Sequence, residues 1–215
     1  AMEQFKFNDE QFRKSIERSM KILKRLQAEQ KTDALRKRAE ELVKQQDELS
    51  EDTKKSNPSD KNKQNELSKR QEKIQSELNK IEKELKDLEK IMEDIGQEEM
   101  PMDELKKAMD DLNPEETNKE MSDSKQNMQS GDNKKSSQNQ KKASDNLKKF
   151  SQQMKKMKEG MQQQNAQDAI DKLEKYVSDM LELSKKQESV KNNTAKSDYN
   201  STKIPQYAQE QAEMF

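Results

Sequence analysis

Apolar residues recur every three or four positions along most of this chain, and polar or charged residues fill the positions between them. A repeat of 3.5 residues keeps one narrow stripe of a helix facing a partner helix. The pattern therefore predicts a long helix over residues 67–95 that is stable only against neighbouring helices. Its stripe positions are Leu67, Gln71, Ile74, Leu78, Ile81, Leu85, Leu88, Met92 and Ile95.

The same spacing predicts helices on both sides of this stretch. Before it, one helix is expected from about residue 8 to 27 and a second after a break near Lys31. Residues 52–65 lose the periodicity and contain Pro58, which predicts the loop of an antiparallel hairpin. After residue 95, further helices are expected to start near Met102, Pro114, Asp132, Ala169 and Tyr207, with a bend at Gly160.

Three short signals mark helix ends. Gly96 follows the last apolar residue of its helix, where a left-handed cap is common. Asn113 precedes Pro114 and two acidic residues, which predicts an N-cap followed by proline in the first helical turn. Gly131 followed by Asp132 predicts the end of one helix and the start of the next.

Composition determines the fold class. The chain has 215 residues, of which 40% are charged and 27% hydrophobic, and its 43 basic residues offset 44 acidic ones. Such a sequence is too polar for a large globular core but suits long helices joined along thin apolar seams. We expect an all-α, elongated multi-helix bundle of antiparallel helical hairpins with coiled-coil-like seams. Its expected parts are residues 1–96, with the long hairpin, and the Met-rich residues 97–215.

The residue types present argue against several functions. The chain has no His, Cys or Trp, so the commonest nucleophiles, acid–base groups and metal ligands are missing. We expect no catalysis, no bound metal and no cofactor. Charge balance and scarce aromatic residues argue against nucleic-acid binding. No apolar run has the roughly 20 residues that a membrane span needs, and direct membrane contact is not expected.

A short motif places glutamine between two apolar residues at seam spacing. Gln46, Gln71 and Gln187 occupy this position, and Gln211 stands in a degenerate fourth copy. A polar residue inside a seam fixes the register of the paired helices at some cost in stability. We predict that the first three glutamines set register, with chance matches in a biased helical alphabet as the alternative.

The thirteen methionines suggest where a partner binds. Methionine is flexible and polarizable, and surfaces rich in it adapt to varied partners. The alternatives are a core built with Met and a basic helix that lies on a membrane surface. The predicted partner-binding face consists of Met121, Met128, Phe150, Met154, Met157 and Met161.

Most of the chain also resembles a known bacterial family. The resemblance lies in the Gln/Lys/Glu-rich helical segments at residues 23–53, 66–94 and 181–194, followed by Ala208-Gln-Glu-Gln211, and in the segment at 109–154. These are similar to the periplasmic helical region of large membrane-anchored proteins that form a domain-of-unknown-function family. The resemblance implies an extracytoplasmic segment of a larger anchored protein and implies no active-site residues.

These observations favour a non-catalytic scaffold or protein–protein interaction segment. Its expected partners are another protein or neighbouring segments of the parent chain, and we expect a monomer of folded-back hairpins. The alternative is a coiled-coil spacer or surface adhesin that reaches an envelope or host ligand and forms a parallel, rod-like oligomer. The chain is expected to be a fragment of a larger protein.

Overall fold

A computed structural model describes residues 2–96, 99–197 and 203–212, with side chains described from residue 12 onward except at position 204. These residues are almost entirely helical, which confirms the predicted all-α class. The helices are α1 (Met2–Lys55), α2 (Lys61–Ile95), α3 (Met102–Leu112), α4 (Pro114–Gln129), α5 (Asn133–Ala195) and α6 (Ile204–Ala212).

Two of the helices are longer than the sequence pattern suggested. α1 continues through Lys31, where a break was expected, and α5 continues through Gly160. Thr32 does not cap a second helix, because its hydroxyl donates to the carbonyl of Ala28 at 2.8 Å within one unbroken helix. The expected start near residue 8 is also wrong, since α1 begins at Met2.

The predicted helix ends between α2 and α5 are mostly confirmed. Asn113 ends α3 with a left-handed backbone (φ 39°) and caps α4, whose Glu116 N–H donates to its side-chain oxygen at 3.3 Å. Gly131 also has a positive φ of 80°. Gly96 has a positive φ of 121°, but its ψ of 136° is extended, so it is not the left-handed cap that was expected.

Replacing Asn113 with alanine is expected to lower the free energy of unfolding by about 1 kcal/mol, because the helix loses a capping acceptor. Asn113→Asp is the matched variant, since aspartate keeps a side-chain oxygen that accepts at a cap and tolerates positive φ, and it should cost little. Urea unfolding followed by far-UV circular dichroism measures both. Equal losses in the two variants would contradict the capping role.

The chain forms two compact units, residues 1–162 and 163–215, so the structure divides it elsewhere than at the boundary expected near residue 96. In the first unit α1 and α2 run antiparallel. The ion pairs between them show this, since earlier residues of α1 pair with later residues of α2. Arg70 lies 2.5 Å from Asp52, Arg38 lies 2.6 Å from Glu84, and Lys24 lies 2.9 Å from Asp94.

The first part of α5 packs on α1 in the same antiparallel sense. Lys148 lies 3.0 Å from Asp47, and Lys158 lies 2.9 Å from Asp33. α4 completes the bundle between α2 and α5, with Lys125 at 2.8 Å from Glu72 and Lys142 at 2.8 Å from Glu120. Each of the four helices thus runs antiparallel to the two that flank it.

The core of this bundle changes in character along its length. Near the loop at Pro58 the buried side chains include many hydroxyls and amides, whereas the opposite end is built from Leu and Met. The buried polar residues near the loop include Ser50, Thr53, Gln64, Ser68, Gln71, Ser124, Ser136, Ser137 and Gln140. Leu85, Leu88, Met92, Leu105, Met154 and Met157 are among the buried residues of the apolar end.

Asp33 is the centre of the strongest ion-pair cluster between α1 and α5. Its carboxylate lies 2.9 Å from Lys37, 3.0 Å from Arg36 and 2.9 Å from Lys158. Hydrogen bonds from Lys37 and Lys158 hold the pKa of Asp33 well below its usual value, with a smaller contribution from Arg36 and against an opposing effect of burial. The folded state therefore favours the ionised carboxylate.

Because the folded pKa of Asp33 is depressed, its contribution to stability exists above the unfolded pKa of about 4 and is lost as the pH falls through the folded value. Asp33→Asn is expected to lower the free energy of unfolding on the order of 1 kcal/mol at pH 7. The difference from the parent chain should shrink steadily below about pH 4. Asp87→Asn, at an exposed aspartate of α2, is the control. A pH-independent difference would refute the assignment.

Candidate functional site

The predicted Met and Phe partner face is not a surface. Met121, Met128, Phe150, Met154 and Met157 are fully buried, and Met161 is nearly so. Sulfur atoms from this set meet hydroxyls of α1, with Met128 Sδ at 3.8 Å from the Thr53 hydroxyl and Met161 Sδ at 4.0 Å from the Thr32 hydroxyl. The prediction is wrong because these residues fill the seam between α1, α2, α4 and α5.

Two of the three predicted register-setting glutamines meet in the core. Gln46 and Gln71 are fully buried, and each side-chain amide donates to the other's oxygen, at 3.0 and 2.9 Å. A reciprocal pair of this kind satisfies one donor and one acceptor on each side chain. The contact is therefore specific to one alignment of α1 and α2, while the role in setting register remains a prediction.

The glutamine pair belongs to a wider polar network that the sequence analysis did not identify. Ser124 of α4 donates to the Gln71 oxygen at 3.3 Å and lies 2.9 Å from the Ser136 hydroxyl of α5. Elsewhere in the core Ser50 lies 2.7 Å from the hydroxyl of Ser137. The sequence does contain serine and threonine at seam spacing, which could have indicated this network. In so polar a sequence, however, such residues are expected to face solvent.

The third predicted glutamine behaves differently. Gln187 lies in the second unit and is exposed, so it is not enclosed in a core as Gln46 and Gln71 are, and its role in setting register stays a prediction. It lines a shallow groove with Val190 and Thr194 of α5 and with Gln211 of α6. The motif copies thus meet in pairs, but only the first pair is enclosed by further helices.

An apolar stripe on α1 remains uncovered in the first unit. This α1 stripe comprises six residues that are 44–64% exposed: Phe12, Ile16, Met20, Ile22, Leu23 and Leu26. From Ala28 onward, the α1 residues at seam spacing are buried against the rest of the bundle. The repeat is therefore the same along α1, but no helix in the described part of the chain covers the first part of this stripe.

A second uncovered stripe lies on α5 in the second unit. This α5 stripe also comprises six residues, which are 49–71% exposed: Ile170, Leu173, Tyr176, Val177, Met180 and Leu181. Single exposed apolar side chains are ordinary, whereas contiguous apolar patches indicate sites of interaction. The two stripes are thus the candidate functional surfaces of this chain.

The charges beside the two stripes have opposite signs. Residues 12–26 contain Arg13, Lys14, Arg18, Lys21, Lys24 and Arg25 against the single acid Glu17. Residues 168–182 contain Asp168, Asp171, Glu174, Asp179 and Glu182 against Lys172 and Lys175. A basic α1 stripe and an acidic α5 stripe therefore differ in the partners that each attracts.

Among the described residues, no group of three His, Cys, Asp or Glu side chains is placed to hold a metal ion. Within the same residues, no helix is both long enough and apolar enough to cross a membrane. Many carboxylates are instead used in ion pairs, such as Glu99, which Lys21 and Arg25 both contact.

Comparison with models of protein families, with curated proteins and with solved structures finds no match to this chain. The family resemblance given above therefore stays a proposal. Function has to be argued from the two stripes and from the bundle that carries one of them.

Proposed function

We propose that this chain is a non-catalytic helical scaffold that binds helical segments of proteins along the α1 and α5 stripes. The observation that carries the proposal is that, among the side chains the structure describes, the twelve large apolar ones that are exposed all lie on these two helix faces. Leaving such side chains in water forgoes about 25 cal/mol for each Å² of apolar surface that a partner would cover. A helix laid along each stripe recovers that free energy.

The spacing of the stripes determines the kind of partner. The α5 stripe has steps of three and four residues between Ile170, Leu173 and Val177. The α1 stripe has steps of three residues between Met20, Leu23 and Leu26. This spacing presents apolar residues along one face of a helix over several turns. A long, narrow apolar face fits another amphipathic helix better than a compact ligand, which requires a concave pocket.

The four-helix bundle supplies rigidity for this role. Its antiparallel helices are tied by ion pairs along their length and by the buried Gln46–Gln71 amide pair. The α1 stripe continues the same helix that the bundle holds from Ala28 to Leu49. A partner on the stripe is therefore carried on a folded base and does not have to order α1 alone.

The cellular setting is part of the proposal. The resemblance to periplasmic regions of membrane-anchored proteins supports an extracytoplasmic location in a larger protein. The absence of cysteine from the sequence is compatible with an oxidising compartment. In that setting the partner is either another protein or a neighbouring segment of the parent chain.

Site-specific photo-crosslinking tests the proposed function. A photoreactive amino acid is placed at Leu23 in the α1 stripe or at Val177 in the α5 stripe of the 215-residue chain expressed in a bacterial host. Lys83, which is exposed on α2, is the control position. Protein adducts at the stripe positions and their absence at Lys83 are expected. No adduct at either stripe, or equal labelling at Lys83, would refute the proposal.

A further inference from the structure

We propose that the partner is a second copy of this chain, with the α1 stripe of each copy packed on the α5 stripe of the other. This inference rests on the proposed function and names its binding partner. Two identical helix–helix contacts then close a twofold dimer, since every surface used by one copy is offered by the other. It replaces the monomer that the sequence favoured.

Charge complementarity favours a contact between an α1 stripe and an α5 stripe over a contact between two like stripes. Residues 12–26 carry six basic side chains and one acidic one, and three of the six, Lys21, Lys24 and Arg25, also pair with Glu99 or Asp94 of the same chain. Residues 168–182 carry five acidic side chains and two basic ones. Two α1 stripes face to face would bring like charges together, and so would two α5 stripes. Like-charge juxtaposition is costly at an interface, whereas opposite potentials both steer and align the encounter.

A membrane surface is a poorer partner for the α1 stripe. An anionic bilayer on the α1 stripe would leave the α5 stripe uncovered, because the five acids around that stripe repel anionic lipid.

The size of the two surfaces matches what a stable dimer needs. Each of the twelve exposed side chains leaves about half of its surface in solvent, which is roughly 100 Å² for a large apolar residue. Two reciprocal contacts therefore have on the order of 2,000 Å² to cover, and stable protein interfaces bury about 1,200–2,000 Å². The exposed apolar surface is enough for a lasting complex.

Cross-linking between single-cysteine variants tests which surfaces meet. The chain has no cysteine of its own, so Leu23→Cys and Val177→Cys each introduce one thiol. We expect a short bismaleimide to link Leu23→Cys chains to Val177→Cys chains in an equimolar mixture, with little product from either variant alone. As the control, Lys83→Cys replaces either of the two variants in the mixture, and this mixture should give no cross-linked product.

Mass measurement with charge exchange tests the physical basis. Light scattering should give twice 25.3 kDa, and Leu23→Glu should raise the dimer Kd at least about tenfold. Arg18→Glu and Glu174→Lys should each weaken the dimer by up to about fivefold. A dimer of one Arg18→Glu chain with one Glu174→Lys chain has opposite charges at both contacts, and so has a dimer of the doubly substituted chain. Both dimers should therefore recover the parent Kd.

Three results of these experiments would exclude the dimer. A 25.3 kDa mass at every concentration or cross-linked products from Leu23→Cys alone would each exclude the proposed pairing. So would a link within one chain when Leu23→Cys and Val177→Cys are placed in the same chain. If the photo-crosslinks at Leu23 and Val177 then contain a different protein, the scaffold function stands and only self-association fails. If those positions yield no adduct, both proposals fail together.

Discussion

Phe150→Ala is expected to lower the free energy of unfolding of the bundle by about 3–5 kcal/mol, the largest effect of any single truncation proposed for this chain. Phe150 has 0% of its surface exposed and heads the largest fully buried side chains. Removing its ring takes away the transfer free energy of the buried atoms and leaves a cavity that α-helical neighbours fill only partly.

Phe12→Ala is the matched control because it removes the same ring from a position that is 63% exposed. At a dilution where the chain is monomeric, this variant should change the unfolding free energy by less than about 0.5 kcal/mol. Urea unfolding followed by circular dichroism measures both variants, and the midpoint should shift without a change in slope. Equal effects at the two positions would mean that the core does not enclose Phe150.

Gln71→Leu is expected to cost about 1–3 kcal/mol of the free energy of unfolding, although leucine is the more apolar residue. The change leaves the buried amide of Gln46 without its reciprocal partner and removes the oxygen that accepts from Ser124. An unpaired buried amide bears its full desolvation cost. Gln187→Leu, made in the exposed copy of the same motif, should change stability by less than about 0.5 kcal/mol.

The double variant Gln46→Leu/Gln71→Leu should recover most of the stability lost by Gln71→Leu alone, because both polar groups are then absent. We predict that the pair sets the register of the two helices, so the double variant should populate more than one alignment of α1 on α2. Several backbone amide peaks per residue in nuclear magnetic resonance spectra would report this. A single set of peaks together with higher stability would contradict the register role.

The polar core near the loop explains why so few Leu, Ile, Val and Phe residues suffice for a bundle. Serine and threonine hydroxyls at seam positions let helices approach closely, and several of them pair across the core, as in the Ser50–Ser137 and Ser124–Ser136 contacts. The Gln140 amide similarly donates to Thr53 at 3.2 Å. Enclosed hydrogen bonds take the place of some apolar volume and define one arrangement of the helices.

The sequence by itself determined the local features of this protein. The bounds of α3 and α4, the cap at Asn113 and the loop at Pro58 follow from residues that act on their own backbone within a few positions. The all-α class follows from the 3.5-residue spacing and the charge density. Even the seam positions of Gln46 and Gln71 were readable, because spacing alone places a residue on a helix face.

Only the tertiary structure decided which seams are covered. The stripes around Phe150 and around Phe12 have similar spacing and similar residues, yet one lies among four helices and the other faces solvent. The same holds for Gln71 and Gln187, which share a motif but not an environment. Periodicity specifies which face of a helix is apolar. Burial of that face depends on how many other helices reach it, and this number is determined by contacts between residues far apart in the chain.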